Sequence, residues 1–223
     1  MNIQKMQSIP WIDVHTHRRV SVPGVLSVLN VFSGENIPGD NFFSVGTNPW
    51  NVKDKPVPLP QSKVLTAPNC LAVGETGMDK AKAFAPYYEL QKEVFLQHLK
   101  LAKQYRKPLI IHCVRCYDEI VRKTENFPYP KIIHGFSRNA ILAGQLIDKG
   151  FYLSFGALLL NSSAKVREAI KSVPLDRIFL ETDDSGISIL EIYSVAAEIL
   201  GISKEDLKSR IYENFRLVFG LKK

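Results

Sequence analysis

The chain has 223 residues, 45% hydrophobic and 23% charged, with a formal charge of +7. This composition excludes intrinsic disorder, collagen and a coiled coil, and no apolar run reaches the roughly 18 residues of a membrane span. The length suits one α/β barrel, hence a single domain over 1–223, and the basic excess favours an anionic partner such as nucleic acid.

In chain order, Met1–His15 lacks the apolar centre of a secretory signal. Strands are expected at Trp11–His17, Val25–Phe32 and Phe42–Gly46. Lys53–Pro60 (KDKPVPLP) reads as an exposed loop, because proline continues neither a helix nor a central strand. A strand at Leu71–Glu75 follows, then a helix over Pro86–Arg106. There Tyr87, Leu90, Val94, Leu101 and Tyr105 form one apolar stripe. Strands at Pro108–His112, Lys131–His134, Phe151–Phe155 and Arg177–Glu181 alternate with helices at Asn139–Lys149, Ser162–Ser172, Ile189–Leu200 and Lys204–Asn214. Gly150 and Gly201 suit helix ends, and Ser203 with Asp206 resembles a capping box. Runs such as Pro108–His112 are apolar without alternation, as in a parallel sheet covered on both faces. This alternation predicts an α/β fold of the TIM-type (β/α)8 barrel class. The span from His17 to Val25 is too short for a crossover helix, so the barrel should be irregular or shortened in its first third.

The polar residues fall where apolar strands give out. Asp13, His15 and His17 alternate along the first strand, so they should point one way. Glu75, His112, His134 and Asp183 close four later strands. Strand C-terminal ends form the active-site face of such barrels. Four of the five histidines share this position; His98 lies mid-helix and reads as a surface or packing residue. A mixed nitrogen and oxygen donor set suits zinc, manganese, nickel or a related divalent ion. Six donors exceed one tetrahedral zinc, which favours two adjacent ions. Cys113 and Cys116 are one pair too few for a zinc ribbon; with Cys70 they read as reduced thiols of a cytoplasmic protein.

With these residues in place the chain resembles the TatD family of metal-dependent deoxyribonucleases, within the amidohydrolase-like barrels. The motifs are Asp13-x-His-x-His17, Gly74–Asp79 (GETGMD), Ile111–Arg115 (IHCVR), His134–Ser137 (HGFS) and Glu181–Asp183 (ETD). The closing Asn214-Phe215 with Phe219 is similar to the family's tail. The resemblance implies that His15, His17 and Asp183 hold a first divalent ion (Zn, Mn, Ni or Mg), His112 and His134 a second, and Glu75 both. It implies a metal-activated water with Asp183 as proton acceptor. Asp13 and Asp79 would orient ligand imidazoles, or make only local hydrogen bonds.

The chain also departs from the family pattern. Asn48 and Trp50, in Gly46-Thr-Asn-Pro-Trp50, stand where the family commonly has histidines. Arg115 lies one residue further from His112 than in the family, and Arg138 occupies a usual glycine position. The metal shell is thus kept and the substrate shell remodelled. The leading expectation is a metal-dependent phosphodiesterase acting on DNA, with Arg115, Arg138 and Trp50 on the substrate side and no obligate protein partner. An alternative is an amidohydrolase-type hydrolase of a small amide, ester or lactone. A third is a non-catalytic metal-binding barrel.

Overall fold

The computed structural model describes residues 9–37, 39–161 and 164–221. Met1–Ser8 and the expected helix start at Ser162 lie outside the described residues. The strands are β1 (Trp11–Thr16), β2 (Val25–Phe32), β3 (Phe43–Gly46), β4 (Cys70–Asp79), β5 (Leu109–Val114), β6 (Lys131–Ile133), β7 (Phe151–Phe155) and β8 (Ile178–Leu180). The helices are α1 (Ser62–Leu65), α2 (Tyr88–Gln104), α3 (Tyr117–Lys123), α4 (Ala140–Asp148), α5 (Ala164–Ser172), α6 (Ile189–Leu200) and α7 (Lys204–Phe219). Strand order in the sheet follows chain order from β1 to β8, and the fold is of the expected TIM-type (β/α)8 class. No described helix is long and apolar enough to cross a membrane.

The first third is irregular, as the short spacing implies. Residues 17–24 carry only a turn, and the described residues between β2 and β3 hold no helix. α1 has four residues, so α2 is the first long helix.

The chain groups into two compact units. One gathers the described residues of Met1–Leu29 and His134–Lys223; the other is Asn30–Ile133. In the first, β1 pairs in parallel with the start of β2, and β7 with β8. Ile12, Val14, Leu153, Phe155, Phe179 and Leu180 are fully buried. Tyr193 of α6 is fully buried as well. Its hydroxyl donates to the Ile12 carbonyl at 3.1 Å and accepts the Ile12 N–H at 3.3 Å, so burial leaves no polar atom stranded. In α7, the Asn214 amide donates to the Leu175 and Ile178 carbonyls at 2.8 and 2.9 Å. The Asn-Phe tail thereby ties α7 to the start of β8. α7 continues past the expected Asn214 to Phe219, where Gly220 closes it in left-handed backbone.

In the second unit β3, β4, β5 and β6 pair in parallel, with α2 against β4. All ten residues of β4 are buried, and the strand runs on to Asp79 rather than stopping at Glu75. Two glycines permit its close approach to β5. A Cβ on Gly77 (φ 146°) would run into the His112 carbonyl oxygen, and one on Gly74 would sit 2.6 Å from the Ile110 carbonyl oxygen. The glycines of the GETG run therefore set the distance between the strands that carry Glu75 and His112. His98 is a packing residue, not a surface one. It is fully buried, its Nε2 accepts the Thr47 N–H at 3.1 Å, and its Nδ1 lies 2.8 Å from the Val94 carbonyl. Burial lowers its pKa to about 4.

Candidate metal centre

In the first unit β1 delivers His15 at its buried end and His17 just beyond. Asp183 follows β8 in left-handed backbone (φ 52°), a conformation that aspartate tolerates. The two segments zip together: the Asp183 N–H donates to the His15 carbonyl at 3.0 Å, and the His17 N–H donates to the Asp183 carbonyl at 3.0 Å. Asp183 Oδ1 thereby comes 3.6 Å from His15 Nε2 and 3.4 Å from His17 Nε2. Burial raises the Asp183 pKa. The neighbouring His15, His17 and His134 imidazoles outweigh burial and hold the carboxyl well below its ordinary range.

His134, one residue past β6, is buried with its ring centroid 4.4 Å from that of His15. Its Nδ1 lies 3.5 Å from Glu181 Oε1, which accepts the Gly135 N–H at 2.6 Å. Glu181 is fully buried, and its Oε2 has no hydrogen-bond partner among the described residues. From the sequence Glu181 has no assigned role. Its place in the Glu181–Asp183 run, just past the end of β8, was the available signal. His15, His17 and Asp183 offer donor atoms all within 4.8 Å of one another, and so do His134, Glu181 and Asp183. Converging imidazole and carboxylate donors of this kind fit a divalent ion.

Asp13 does not orient an imidazole through the hydrogen bonds described. Its Oδ1 accepts the Thr182 N–H at 3.0 Å and its Oδ2 the Thr182 hydroxyl at 2.7 Å. It thus fixes the backbone that leads into Asp183. The register of β1 against β2 shifts between Asp13 and Thr16, yet His15 and His17 still converge on Asp183. Burial raises the Asp13 pKa to about 7, against the Thr182 hydrogen bonds.

In the second unit Glu75 is buried in mid-strand, its N–H donating to Asn30 Oδ1 at 2.7 Å. His112 Nδ1 lies 2.9 Å from Glu75 Oε1, and His112 Nε2 lies 3.1 Å from Asp79 Oδ2. The same Asp79 oxygen accepts the Trp50 indole N–H at 2.7 Å. Burial works against charge on Asp79; hydrogen bonds from His112, Trp50 and the Ala81 N–H outweigh it and lower its pKa. Asp79 therefore lies against a candidate ligand imidazole. Asn48 caps the 3₁₀ turn Pro49–Asn51, its Oδ1 accepting the Trp50 N–H at 2.7 Å. Arg115 (φ 59°) and Arg138 are exposed, and no described hydrogen bond ties either to these ligands. The three cysteines are buried and free, with the Cys113 and Cys116 Sγ atoms 3.6 Å apart.

Residues 20–220 match the model of the TatD-related DNases. The chain is 28% identical over 221 residues to the uncharacterized metal-dependent hydrolase YcfH of Escherichia coli K12, covering 90% of this chain and 81% of the relative. It is 33% identical over 129 residues to the uncharacterized metal-dependent hydrolase TatD of Mycobacterium tuberculosis, covering 54% of this chain and 48% of that protein. In structure it is similar to the TatD homologue YJJV of Escherichia coli K12. The TM-score is 0.80 at 21% identity, over 95% of this chain and 98% of the other.

Proposed function

The chain belongs to the TatD-related DNase family of metal-dependent hydrolases, and on that premise we propose that it hydrolyses phosphodiester bonds of DNA or a related nucleic acid in the cytoplasm, as one hydrolase domain over 1–223. The observation that carries this reading is the pair of donor groups that share Asp183. The ligands proposed are His15, His17, Glu75, His112, His134 and Asp183, for two divalent ions. Bound there, such ions acidify water and offset negative charge on a phosphodiester.

The chain's own residues do the rest. Asp183 is ionised at neutral pH and offers a carboxylate oxygen to the proton of the attacking water. Asp13 keeps that carboxylate in place through Thr182. Glu181 lies against His134, and Asp79 against His112, as carboxylates commonly do behind ligand imidazoles. The +7 charge supports an anionic substrate, and exposed Arg115 and Arg138 are the cations proposed to meet its phosphates.

The test is hydrolysis of single-stranded DNA, duplex DNA and a panel of carboxylic esters, amides and lactones, with and without chelator, on protein of measured metal content. Phosphodiester cleavage that chelator abolishes and divalent ions restore is the expected result. Turnover of esters, amides or lactones with none of DNA would sink the nuclease reading and keep the hydrolase.

A further inference from the structure

Asn48 and Trp50 depart from the family pattern together, and the structure shows them working together. The Asn48 side chain caps the turn that presents Trp50. The indole is held at three places. Its N–H donates to Asp79 at 2.7 Å; Phe84 stacks on it at 5.4 Å between centroids and 11° between planes; His112 meets it edge-on at 5.3 Å. Gln91, fully buried, then locks two of these partners. Its Oε1 accepts the Asp79 N–H at 2.8 Å, and its amide donates to the Phe84 carbonyl at 3.2 Å. Despite these restraints Trp50 stays 45% exposed.

An exposed tryptophan is unremarkable by itself. This one is rigid, backed by a second ring, and tethered by the carboxylate that also holds a candidate ligand imidazole. A ring fixed in advance loses little side-chain freedom when another ring is laid on it. The surface is apolar and aromatic, so the group it suits is planar and aromatic. On a substrate carried by phosphodiester bonds, that group is a nucleobase.

We infer that Trp50, on its Phe84 backing, is the stacking surface for a nucleobase next to the scissile phosphodiester. The inference rests on the phosphodiesterase reading above and adds what that reading leaves open, the part of the substrate read beside the phosphate. The stacked base must have a free face, so an unpaired base suits the surface. Asn48 enters as the residue that sets the indole's direction.

The experiment uses the metal-loaded protein and two esters with one leaving group, thymidine 5′-(p-nitrophenyl phosphate) and methyl p-nitrophenyl phosphate. Base stacking contributes roughly 1–3 kcal/mol. Trp50→Ala should therefore raise KM for the thymidine ester about tenfold or more relative to KM for the methyl ester, and any change that both esters share reports the lost Asp79 hydrogen bond rather than the base. Trp50→Phe keeps a ring and should hold KM within about threefold, which separates lost stacking from general damage. The second readout needs no turnover. Oligo(dT) should quench tryptophan fluorescence saturably in the wild type, and this component should vanish in Trp50→Phe, which retains only Trp11. Equal KM shifts for both esters, or none for either, together with absent quenching, would overturn the inference. Saturable quenching at Trp50 without hydrolysis of either ester would keep the surface and remove the phosphodiesterase reading.

Discussion

The candidate ligands of the first unit and those of the second are the same residue types held in opposite ways. In the first, Asp183 stands 3.4 and 3.6 Å from two imidazole nitrogens, longer than a normal hydrogen bond. The donors converge without closing on one another, and a buried Glu181 oxygen beside them has no hydrogen-bond partner among the described residues. In the second, Glu75, His112, Asp79 and Trp50 form a continuous chain at 2.7–3.1 Å. The first arrangement is that of a cage, the second that of a relay whose members fix one another. A cage depends on what fills it; a relay holds its own shape and lends it to whatever binds alongside.

The largest expected effect tests the cage. Asp183→Asn keeps a similar volume but removes the charge, and should lower kcat by at least about 100-fold while the protein stays folded. Near-normal turnover with an unchanged thermal transition would take Asp183 out of the chemistry. The relay is broken at Asp79→Asn, which weakens the carboxylate behind His112 and should reduce divalent-ion affinity by about 10- to 100-fold. Isothermal titration with zinc or manganese reads this directly, and unchanged affinity would mean that Asp79 serves only Trp50.

A smaller effect lies in the support of the second unit. Folded His98 takes up a proton only near pH 4, whereas an unfolded histidine does so near 6.5. Between those values the unfolded state binds more protons, so stability rises with pH through the window. The contribution is complete above about pH 6.5 and is lost towards pH 4, by about 3 kcal/mol at most. Urea unfolding of the wild type and His98→Gln from pH 4.5 to 7.5 checks it. The difference between them should shrink as pH falls, and a constant gap would show that His98 does not titrate as its burial requires. Smallest is the cap. Asn48→Ala should cost about 0.5–2 kcal/mol and loosen Trp50. If thermal stability falls but the KM of a thymidine ester does not rise, the turn and the indole are independent.

The strands were legible because buried parallel strands leave unbroken apolar runs: Val25–Phe32 and Phe151–Phe155 match residue for residue. α3 was not, since Tyr117–Lys123 mixes charge and apolar residues within only seven positions. The candidate site was legible as a set of residue types at strand ends and illegible as a set of bonds. Asp13 finds Thr182 across 169 positions, and no local pattern announces such a pair. Asn48 shows the limit most plainly. From the resemblance it reads only as a missing histidine; in the structure its side-chain carbonyl oxygen is committed to the Trp50 backbone N–H. Asn48→His would therefore remove a cap as well as add a cation. Glu181 was hidden by its neighbour, because Asp183 alone sufficed to explain the motif.

The grouping of the chain also orders events in time. The second unit is continuous from Asn30 to Ile133, whereas the first is assembled from segments on either side of it. On the ribosome His15 and His17 are made early, yet the Asp183 carbonyl that receives the His17 N–H and the Tyr193 hydroxyl that secures Ile12 are made much later. Such long-range closures carry a loop-entropy cost before any contact offsets it. The relay of Glu75, His112, Asp79 and Trp50 is complete within a segment that emerges before Asp183 exists. The cage waits for that later stretch of translation, whereas every residue of the proposed stacking surface has by then been made.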